Sequence, residues 1–421
     1  MIRISEKESC CGCSACMNIC PKKCISMEAD SEGFLYPKVD EKRCVDCHLC
    51  EKVCPVQNTV ANEHFDDAQI SINDWTNKVI EQSSELPEAY AAFIKDSEVR
   101  ENSTSGGFFT AIAKWIIANG GVVYGVEIDQ NCKIVHSSSD NVEQLGKYRG
   151  SKYVQSSQGS VYKEIENLLK EERWVLYTGT PCQCAGLRRY LGTKEYATLV
   201  VLDVFCHGVG SPKYWDIYVE YNKKKYKADI DRISFREKTY GYNSACMAVY
   251  FKNGKSSHKD HDTDLYWTAF SKFYIFRPSC YDCHFKTVHH EYSDFSIGDF
   301  WSVSNLGVDF SESNGCSLLL VHSEKGKEIL RNLDEILVKQ KVDIKEALII
   351  NGGPMPSKLI SSSPENKKRT LFLSEMYNYS INELVKKYIP LSLKQKLKCV
   401  LKPYLYKLGI LEKIKKYKGA K

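Results

Sequence analysis

Two cysteine runs of identical spacing constrain this 421-residue chain more than any other feature of its sequence. Each run reads C-x2-C-x2-C-x3-C-P, the first from Cys10 and the second from Cys44. Three thiolates spaced two residues apart can surround one iron–sulfur cube, while the fourth cysteine, before the proline, reaches the neighbouring cube. The spacing therefore predicts two [4Fe-4S] clusters that exchange their fourth ligands. We expect one cluster on Cys10, Cys13, Cys16 and Cys54, and the other on Cys44, Cys47, Cys50 and Cys20.

Zinc sites and disulfides are the alternative uses of such cysteines. A tetrahedral zinc site takes two cysteine pairs and would leave the third cysteine of each run unexplained. Disulfides require an oxidising compartment, and the opening "MIRISEKESC" lacks the apolar segment of a secretory signal. The 19 cysteines are therefore expected to be metal ligands or catalytic thiols in a reducing cytoplasm. Cys11 and Cys24 lie outside the spacing and are expected to be small buried residues or bystanders.

The chain divides into four segments by composition. Residues 1–56 form the cysteine-rich dicluster domain, and residues 57–86 are a polar linker. Residues 87–376 alternate short β-like runs with helical patterns, which is typical of a layered α/β domain. Residues 377–421 are helical and basic. The expected fold class is thus a small ferredoxin-like α+β domain, followed by a larger α/β domain and a basic helical tail.

The basic charge is concentrated at one end of the chain. Residues 391–421 contain ten lysines and one glutamate, although the whole chain has a net charge of only +5. Leucine, isoleucine and tyrosine alternate with these lysines. The pattern is typical of a helix that lies on an anionic membrane surface, and equally of one that docks on an acidic partner or is merely solvated. Nothing else in the chain favours nucleic-acid binding, and no run of 18 apolar residues predicts a membrane span.

Four more cysteines occur at informative positions of the α/β segment. Cys182 lies in "YTGTPCQCAGL" and Cys206 in "LDVFCHGVGSPKYW", and both segments read as a strand, a loop and a helix. Because loops that follow parallel strands meet at one sheet edge, these two cysteines are expected to face each other. Cys280 and Cys283 form a C-x2-C before the strand-like "SDFSIGDFW". Taken singly, each is equally typical of a buried cysteine, and the spacing alone does not decide whether the four meet.

The stretch "STSGGFFTAIAKWIIANGGVVYGVEI" predicts a helix to about residue 118, a stop at the next glycine pair, and a strand. One of three hydroxyl side chains is expected to cap this helix: Ser103, Thr104 or Ser105. Gly106 and Gly107 would let an anion approach the first helical amides. Both a phosphate site and an ordinary capped helix remain compatible with the pattern.

The order of these segments, together with "YRGSKYVQS", "ISFREK" and "RPSCYDCHFK", resembles the coenzyme F-420 hydrogenase/dehydrogenase beta-subunit family over about residues 88–325. The resemblance implies an FAD in the large domain that exchanges electrons with iron–sulfur clusters. It also implies a third [4Fe-4S] cluster near the flavin, held by Cys182, Cys206, Cys280 and Cys283.

The same resemblance implies the flavin contacts. They are expected at "SGG" and around "GSKY", on Ser105, Gly106, Gly107, Arg149, Lys152 and Tyr153. Arg149 and Lys152 would offer positive charge to a pyrophosphate or to the reduced flavin, although a solvated basic turn has the same sequence. Asp294 and Asp299 occur where the family has polar residues near its site. No catalytic residue is identified.

The function expected from this set is an FAD-dependent iron–sulfur oxidoreductase. Flavin converts between hydride transfer and single-electron traffic, so it would link the clusters to a small-molecule hydride donor or acceptor, with coenzyme F-420 as one such molecule. The expected partners include a redox protein or a soluble electron carrier. The alternatives are an electron-transfer subunit, or an accessory protein of polysaccharide biosynthesis, without substrate chemistry of its own. The expected location is cytoplasmic, with the tail as the point of contact with the inner membrane face.

Overall fold

The computed structural model describes residues 1–58, 74, 76–77, 80–81, 85–308, 310, 314–351 and 366–410. The N-terminal domain contains two short helices, α1 (Ala15–Ile19) and α2 (Leu49–Lys52), and one antiparallel hairpin, β1 (Ile25–Ala29) with β2 (Leu35–Val39). The helices correspond to each other in the two cysteine runs, since α1 carries Cys16 and α2 carries Cys50. The repeat in the sequence is therefore also a repeat in the structure.

An eight-stranded mixed sheet forms the centre of the large domain, in the order β13-β3-β12-β11-β7-β6-β4-β5. The strands are β3 (Glu88–Ile94), β4 (Val122–Ile128), β5 (Ile134–Ser139), β6 (Val175–Gly179), β7 (Leu199–Val204), β11 (Phe295–Asp299), β12 (Ser317–Val321) and β13 (Leu337–Val342). Strands β4, β6, β7 and β11 are parallel neighbours wherever they pair. Strand β12 runs antiparallel to both β11 and β3, so β3 points the same way as β11.

Helices cover both faces of this sheet, as expected for strands that read as continuous apolar runs. On one face, α4 (Phe108–Ala118) and α9 (Glu324–Asn332) pack on the central strands. On the other face, α5 (Val161–Lys170) and α6 (Pro181–Leu191) do so, and α10 (Ile344–Asn351) packs near β3 and β12. The short helix α3 (Ser97–Glu101) follows β3.

A second, three-stranded antiparallel sheet has the order β10-β9-β8. It comprises β8 (Ile230–Glu237), β9 (Cys246–Phe251) and β10 (Ser256–Lys259). Its core includes apolar side chains of four helices: α7 (Pro212–Tyr226), α8 (Leu265–Ser271), α11 (Asn366–Glu375) and α12 (Ile381–Tyr388). Helix α13 (Leu393–Lys407) follows. Within the described residues, no helix combines the length and apolar character needed to cross a membrane.

The architecture confirms the predicted fold class of a ferredoxin-like domain followed by an α/β domain. It also places the segments of interest at one edge, because β3, β6, β7 and β11 all end there. In open α/β sheets, ligands bind at the carboxyl ends of the strands.

Candidate iron–sulfur and flavin centre

The second cysteine run lines a recess of about 350 Å³ at the outer end of the N-terminal domain. Four of its lining residues are the set that the spacing assigns to one cluster: Cys20, Cys44, Cys47 and Cys50. Cys24 also lines this recess, and its Sγ lies 3.3 Å from the Sγ of Cys20. The structure thus brings Cys20 of the first run to the three cysteines of the second.

The remaining four cysteines of the two runs are buried: Cys10, Cys13, Cys16 and Cys54. Burial raises the pKa of the Cys16 thiol, and the nearby Cys10 and Cys54 raise it further. These thiols lie close enough to influence one another, as the exchange of fourth ligands requires. Iron–sulfur clusters bind thiolates, so cluster insertion would remove these protons.

The four cysteines of this recess match the ligand number of a [4Fe-4S] cluster. In the described part of the chain, no group of three or more His, Cys, Asp or Glu side chains could hold one ion. A tetrahedral zinc site requires four ligands around one atom. In a [4Fe-4S] cluster the four thiolates instead surround a larger object. Four cysteines around a recess provide this chemistry.

A second recess, of about 620 Å³, lies at the carboxyl edge of the large sheet. The four cysteines of the large domain line it together: Cys182, Cys206, Cys280 and Cys283. We call it the four-cysteine recess. Strands β6 and β7 are parallel neighbours, so the segments that follow them, with Cys182 and Cys206, meet as expected. Cys182 lies in the first turn of α6, after the Thr180 capping box, and Cys280 ends a 3-10 turn.

The N-terminal domain closes against this recess. Cys11 is one of the lining residues, and its thiol interacts with the thiols of both Cys13 and Cys182. Cys13 packs against Gly186, which follows Cys182 by one turn of α6. The loop that holds the first cysteine run therefore contacts the helix that carries a cysteine of the four-cysteine recess.

One lysine and one arginine side chain also reach this recess, and neither was singled out by the sequence analysis. Lys286 donates from its Nζ to the carbonyl oxygen of His207 at 2.8 Å. Arg277 is fully buried and donates from its Nε to the carbonyl oxygen of Cys10 at 2.7 Å. Both side chains line the recess, as do the carboxylate residues Glu8 and Asp282.

The two predicted flavin loops lie next to each other. The amide nitrogen of Ser151 donates to Thr104 Oγ1 at 3.1 Å, which joins the "SGG" loop to the "GSKY" loop. Ser105 donates from its Oγ to the Asp299 carboxylate. Asp299 ends β11 at the same sheet edge as the four-cysteine recess.

Arg236 connects the members of this group, although the sequence analysis did not select it. Its Nη1 donates to Asp299 Oδ2 at 2.8 Å and to the hydroxyl of Tyr153 at 3.3 Å. The Arg236 side chain is only 9% exposed. These hydrogen bonds link two of the predicted flavin contacts, Ser105 and Tyr153, through Asp299 and Arg236. We call this set of four residues the Arg236 network. The motif "ISFREK" was the only sequence signal for Arg236 itself.

The predicted hydroxyl cap of α4 is wrong. The N-cap is Gly107, with a φ of +86°, and no side chain caps it. Ser103 instead donates to the carbonyl oxygen of Val99, while Thr104 and Ser105 make the contacts given above. Gly106 donates its amide to Ser317 Oγ at 3.0 Å. Gly107 takes the left-handed conformation, which glycine adopts readily, and the three hydroxyls bond to partners other than the first helical amides.

Arg149 and Lys152 differ in their surroundings. Lys152 donates from its Nζ to the carbonyl oxygens of Lys147 and Arg149, both at 3.0 Å, and thereby closes the turn between them. Burial lowers the pKa of Lys152 to about 7. The Nε of Arg149 is buried and has no hydrogen-bond partner among the described residues. A buried guanidinium nitrogen without a partner suits an anionic group.

The other residues noted in the sequence lie elsewhere or act indirectly. Asp294 precedes β11, at the opposite end from Asp299, and accepts from the amide of Val201 at 2.9 Å and from Arg188 at 3.3 Å. It therefore belongs to the core, away from the flavin loops.

Burial lowers the pKa of His207 to about 4, so this side chain is neutral at pH 7. His284 lines the four-cysteine recess.

Two family models match this chain. Residues 172–346 match the C terminus of the coenzyme F420 hydrogenase/dehydrogenase beta subunit, and residues 9–58 match the 4Fe-4S dicluster domain. The first match includes all four cysteines of the recess, and the second includes both cysteine runs. The two matches do not overlap and follow the order expected from the sequence.

Curated relatives match short stretches of this chain. The NADH-quinone oxidoreductase subunit I 2 of Geobacter metallireducens is 34% identical over 75 residues, which is 17% of this chain and 57% of the relative. The 7Fe ferredoxin of Hydrogenibacillus schlegelii is 37% identical over 52 residues, or 12% of this chain and 59% of the relative. This chain thus spans less than two thirds of each.

Among solved structures, a chain of the F420-reducing [NiFe] hydrogenase complex from Methanosarcina barkeri is similar with a TM-score of 0.44 and 20% identity. The match covers 71% of this chain and 94% of that chain. Residues 172–346 therefore carry the C-terminal domain of the coenzyme F420 hydrogenase/dehydrogenase beta-subunit family, and residues 9–58 carry an N-terminal 4Fe-4S dicluster domain.

Proposed function

We propose that this protein is an FAD-dependent iron–sulfur oxidoreductase that passes electrons between three [4Fe-4S] clusters and FAD, and so to or from a hydride-accepting substrate. The four-cysteine recess is the observation that carries the proposal. It gathers Cys182, Cys206, Cys280 and Cys283 from three separate segments, and Cys11 of the dicluster domain lines it as well. Four thiolates around a recess are the ligand set of a [4Fe-4S] cluster.

The neighbouring loops supply the residues that would hold FAD. The first turn of α4, which no side chain caps, would bind a pyrophosphate through its amides, because helix starts favour anions. Arg149 would donate from its buried Nε, and Lys152 would keep the turn of Arg149 in place. Ser105, Gly106, Gly107 and Tyr153 would form the walls of the site. When bound, flavin supplies exchange between hydride and single electrons.

The recess lined by the second cysteine run supports a role for an external redox partner. Cys47 is exposed in this recess, whereas the four cysteines assigned to the other predicted cluster are buried: Cys10, Cys13, Cys16 and Cys54. A partner protein or a soluble carrier would therefore exchange electrons at the face that includes Cys47. We place this activity in the cytoplasm, where reducing conditions keep such thiols available.

Anaerobic reduction of the holoprotein tests the proposal. A reduced ferredoxin should bleach the cluster absorption and then the flavin absorption of the wild type. In a Cys280→Ser/Cys283→Ser variant, the dicluster domain should still bleach, while the flavin should be reduced much more slowly. Holoprotein that contains no extractable flavin would contradict the proposal and favour an electron-transfer subunit without substrate chemistry. Oxidised coenzyme F-420 is the first substrate to test, through loss of its absorption.

Helix α13 supports a second, separate role at an anionic membrane surface. Its exposed apolar side chains include Leu393 (84% exposed), Leu397 (61%), Val400 (63%) and Tyr404 (65%). Lysines are interspersed among them, and the range 391–410 contains no acidic residue. One end of the helix is attached to the large domain, since Lys402 donates to Asp260 Oδ2 at 2.9 Å. Exposed leucine and tyrosine beside lysine are typical of interfacial helices.

Vesicle flotation tests this second role. The full chain should float with vesicles that contain an anionic lipid and not with neutral vesicles. A Leu397→Ser/Tyr404→Ser variant should lose this binding and keep wild-type stability, because both side chains are exposed. Equal flotation of the variant and the wild type would refute a membrane role for this helix.

A further inference from the structure

Arg277 is a buried cation at the contact between the two domains. Its side chain is 0% exposed. Its Nε donates to the carbonyl oxygen of Cys10 at 2.7 Å, and its Nη2 donates to the carbonyl oxygen of Leu35 at 3.0 Å. Its Nη1 donates to Gln155 Oε1 at 2.9 Å. The guanidinium is thus held by two backbone segments of the dicluster domain and one side chain of the large domain.

The same side chain also approaches both sets of cysteines. Arg277 lines the four-cysteine recess and precedes Cys280 by three residues. Gly12 follows Cys11, and a Cβ added there would come within 2.9 Å of Arg277 Nη1. The close approach at Gly12, whose φ is +71°, lets the first cysteine loop fold over the guanidinium. Arg277 therefore lies between the first cysteine loop and the four-cysteine recess.

The charge of Arg277 is held by hydrogen bonds and not by a direct ion pair, and the carboxylate residues Glu8 and Asp282 line the same recess. Within the described ranges, Arg277 forms no ion pair with an Asp or a Glu, and its neighbours are carbonyl oxygens, an amide and the ring of Tyr36 at 4.2 Å. A buried charge without a counter-charge is costly. The four cysteines of the recess become anionic when they bind metal. Their thiolates would add negative charge on the side of the recess that Arg277 lines.

From this geometry we propose that Arg277 is a positioning residue that fixes the first cysteine loop against the four-cysteine recess and raises the reduction potentials of the clusters on both sides. The inference rests on the proposed clusters. Reduction adds one negative charge to a cluster, and a fixed positive charge nearby stabilises the reduced form. The low-dielectric surroundings of Arg277 strengthen the effect, since water does not screen this charge.

Arg369 provides a matched control at the same domain contact. It is also a buried arginine, with 8% exposure. Its Nη1 pairs with Glu32 Oε1 at 3.1 Å, and its Nε donates to the carbonyl oxygen of Phe276 at 2.8 Å. Its charge is therefore balanced by a carboxylate, and it is not a lining residue of the four-cysteine recess. An Arg369→Met variant loosens the domain contact and breaks this pair, and the charge that it removes is the partner of Glu32 and lies outside the lining of the four-cysteine recess.

The experiment is a redox titration monitored by electron paramagnetic resonance on the anaerobically purified full chain. We expect Arg277→Met to shift the midpoint potentials of the clusters beside it to more negative values, while Arg369→Met leaves them at the wild-type values. Gln155→Glu should cause a shift of the same sign, because the new carboxylate would neutralise Arg277 at nearly unchanged volume. If Arg277→Met fails to fold, the midpoint potentials of Gln155→Glu test the effect of the Arg277 charge in its place.

The iron content and the midpoint potentials distinguish a failure of the proposed function from a failure of the inference about Arg277. Wild-type protein with about eight irons would refute the third cluster, since each cubane carries four. Variants with about twelve irons and wild-type potentials would refute the role of Arg277 and leave the clusters intact. An equal shift of the midpoint potentials in Arg369→Met would show that the packing of the two domains, and not the charge of Arg277, sets the potentials. This result would also overturn the inference.

Discussion

Cys13 lies so close to Gly186 that a Cβ added to Gly186 would come within 2.9 Å of the Cys13 sulfur. Gly186 belongs to α6, the helix that begins beside Cys182, so this contact joins a ligand of the first predicted cluster to the wall of the four-cysteine recess. The absence of a side chain at Gly186 allows the two domains to approach this closely.

A Gly186→Ala substitution should therefore lower the stability of the protein and disturb the domain contact. The added methyl group overfills a packed site, which typically costs about 1–3 kcal/mol. Thermal unfolding and the iron content per chain measure the effect. Gly146→Ala is the matched control, because a Cβ at Gly146 meets nothing within 4 Å. Equal unfolding temperatures for the two variants would contradict the close contact.

The Arg236 network predicts that Asp299→Asn reduces bound FAD. The Arg236 side chain is 9% exposed and that of Asp299 is 16% exposed, so the substitution leaves a buried cation without its carboxylate. Breaking a buried pair in this way costs about 3–5 kcal/mol, and it frees the loops of Ser105 and Tyr153 to move. Extraction of FAD per chain and urea unfolding measure the two effects.

Asp294→Asn serves as the control for Asp299→Asn. Asp294 is also buried and also pairs with an arginine, Arg188, but it lies at the other end of β11. This variant should be destabilised and still retain FAD in the fraction that folds. The account of the flavin site is wrong if Asp299→Asn retains wild-type FAD, or if both variants lose it equally.

Lys152 predicts a specific pH dependence of stability. Burial lowers its pKa in the folded chain to about 7, below its ordinary value of 10.5. Between these two values the unfolded chain binds a proton that the folded chain lacks, so the free energy of unfolding rises with pH across this window. The slope has an upper limit of about 1.4 kcal/mol per pH unit.

A Lys152→Met variant carries no titrating amine at this position and should lack this rise. Urea unfolding of both proteins at several pH values between about 7 and 10 isolates the contribution as the difference between the two curves. Parallel curves over this range would show that Lys152 is protonated in the folded chain, contrary to the prediction.

The sequence predicted the parts of this molecule whose information is local. The spacing of the two cysteine runs was enough to group Cys20 with Cys44, Cys47 and Cys50. The three-residue step and the proline direct the fourth cysteine of a run away from the first three, and this effect is local. The helix that ends at Ala118 and the strand that follows it were also predicted from periodicity and a glycine pair. In contrast, the predicted cap of that helix was wrong, because Gly107 is the N-cap and the hydroxyls bond to other partners.

Features that depend on strand order could not be predicted from local patterns. The meeting of Cys182 and Cys206 with the C-x2-C requires β6, β7 and β11 to be neighbours, and only the family resemblance implied it. Arg236 and Arg277 come from segments that are distant in sequence from their partners. Arginine at an exposed turn and arginine at a buried domain contact have the same local pattern. The second sheet and its aromatic core depend on the same kind of long-range packing.

An iron and flavin count tests the central claim, which is that the large domain holds a cluster of its own. Wild-type protein purified without oxygen should contain about twelve irons, and Cys280→Ser/Cys283→Ser should contain about eight, because each [4Fe-4S] cluster carries four. Cys246→Ser, which replaces a buried cysteine of β9 outside both recesses, should keep the full number. About eight irons in both the wild type and the double variant would contradict the claim.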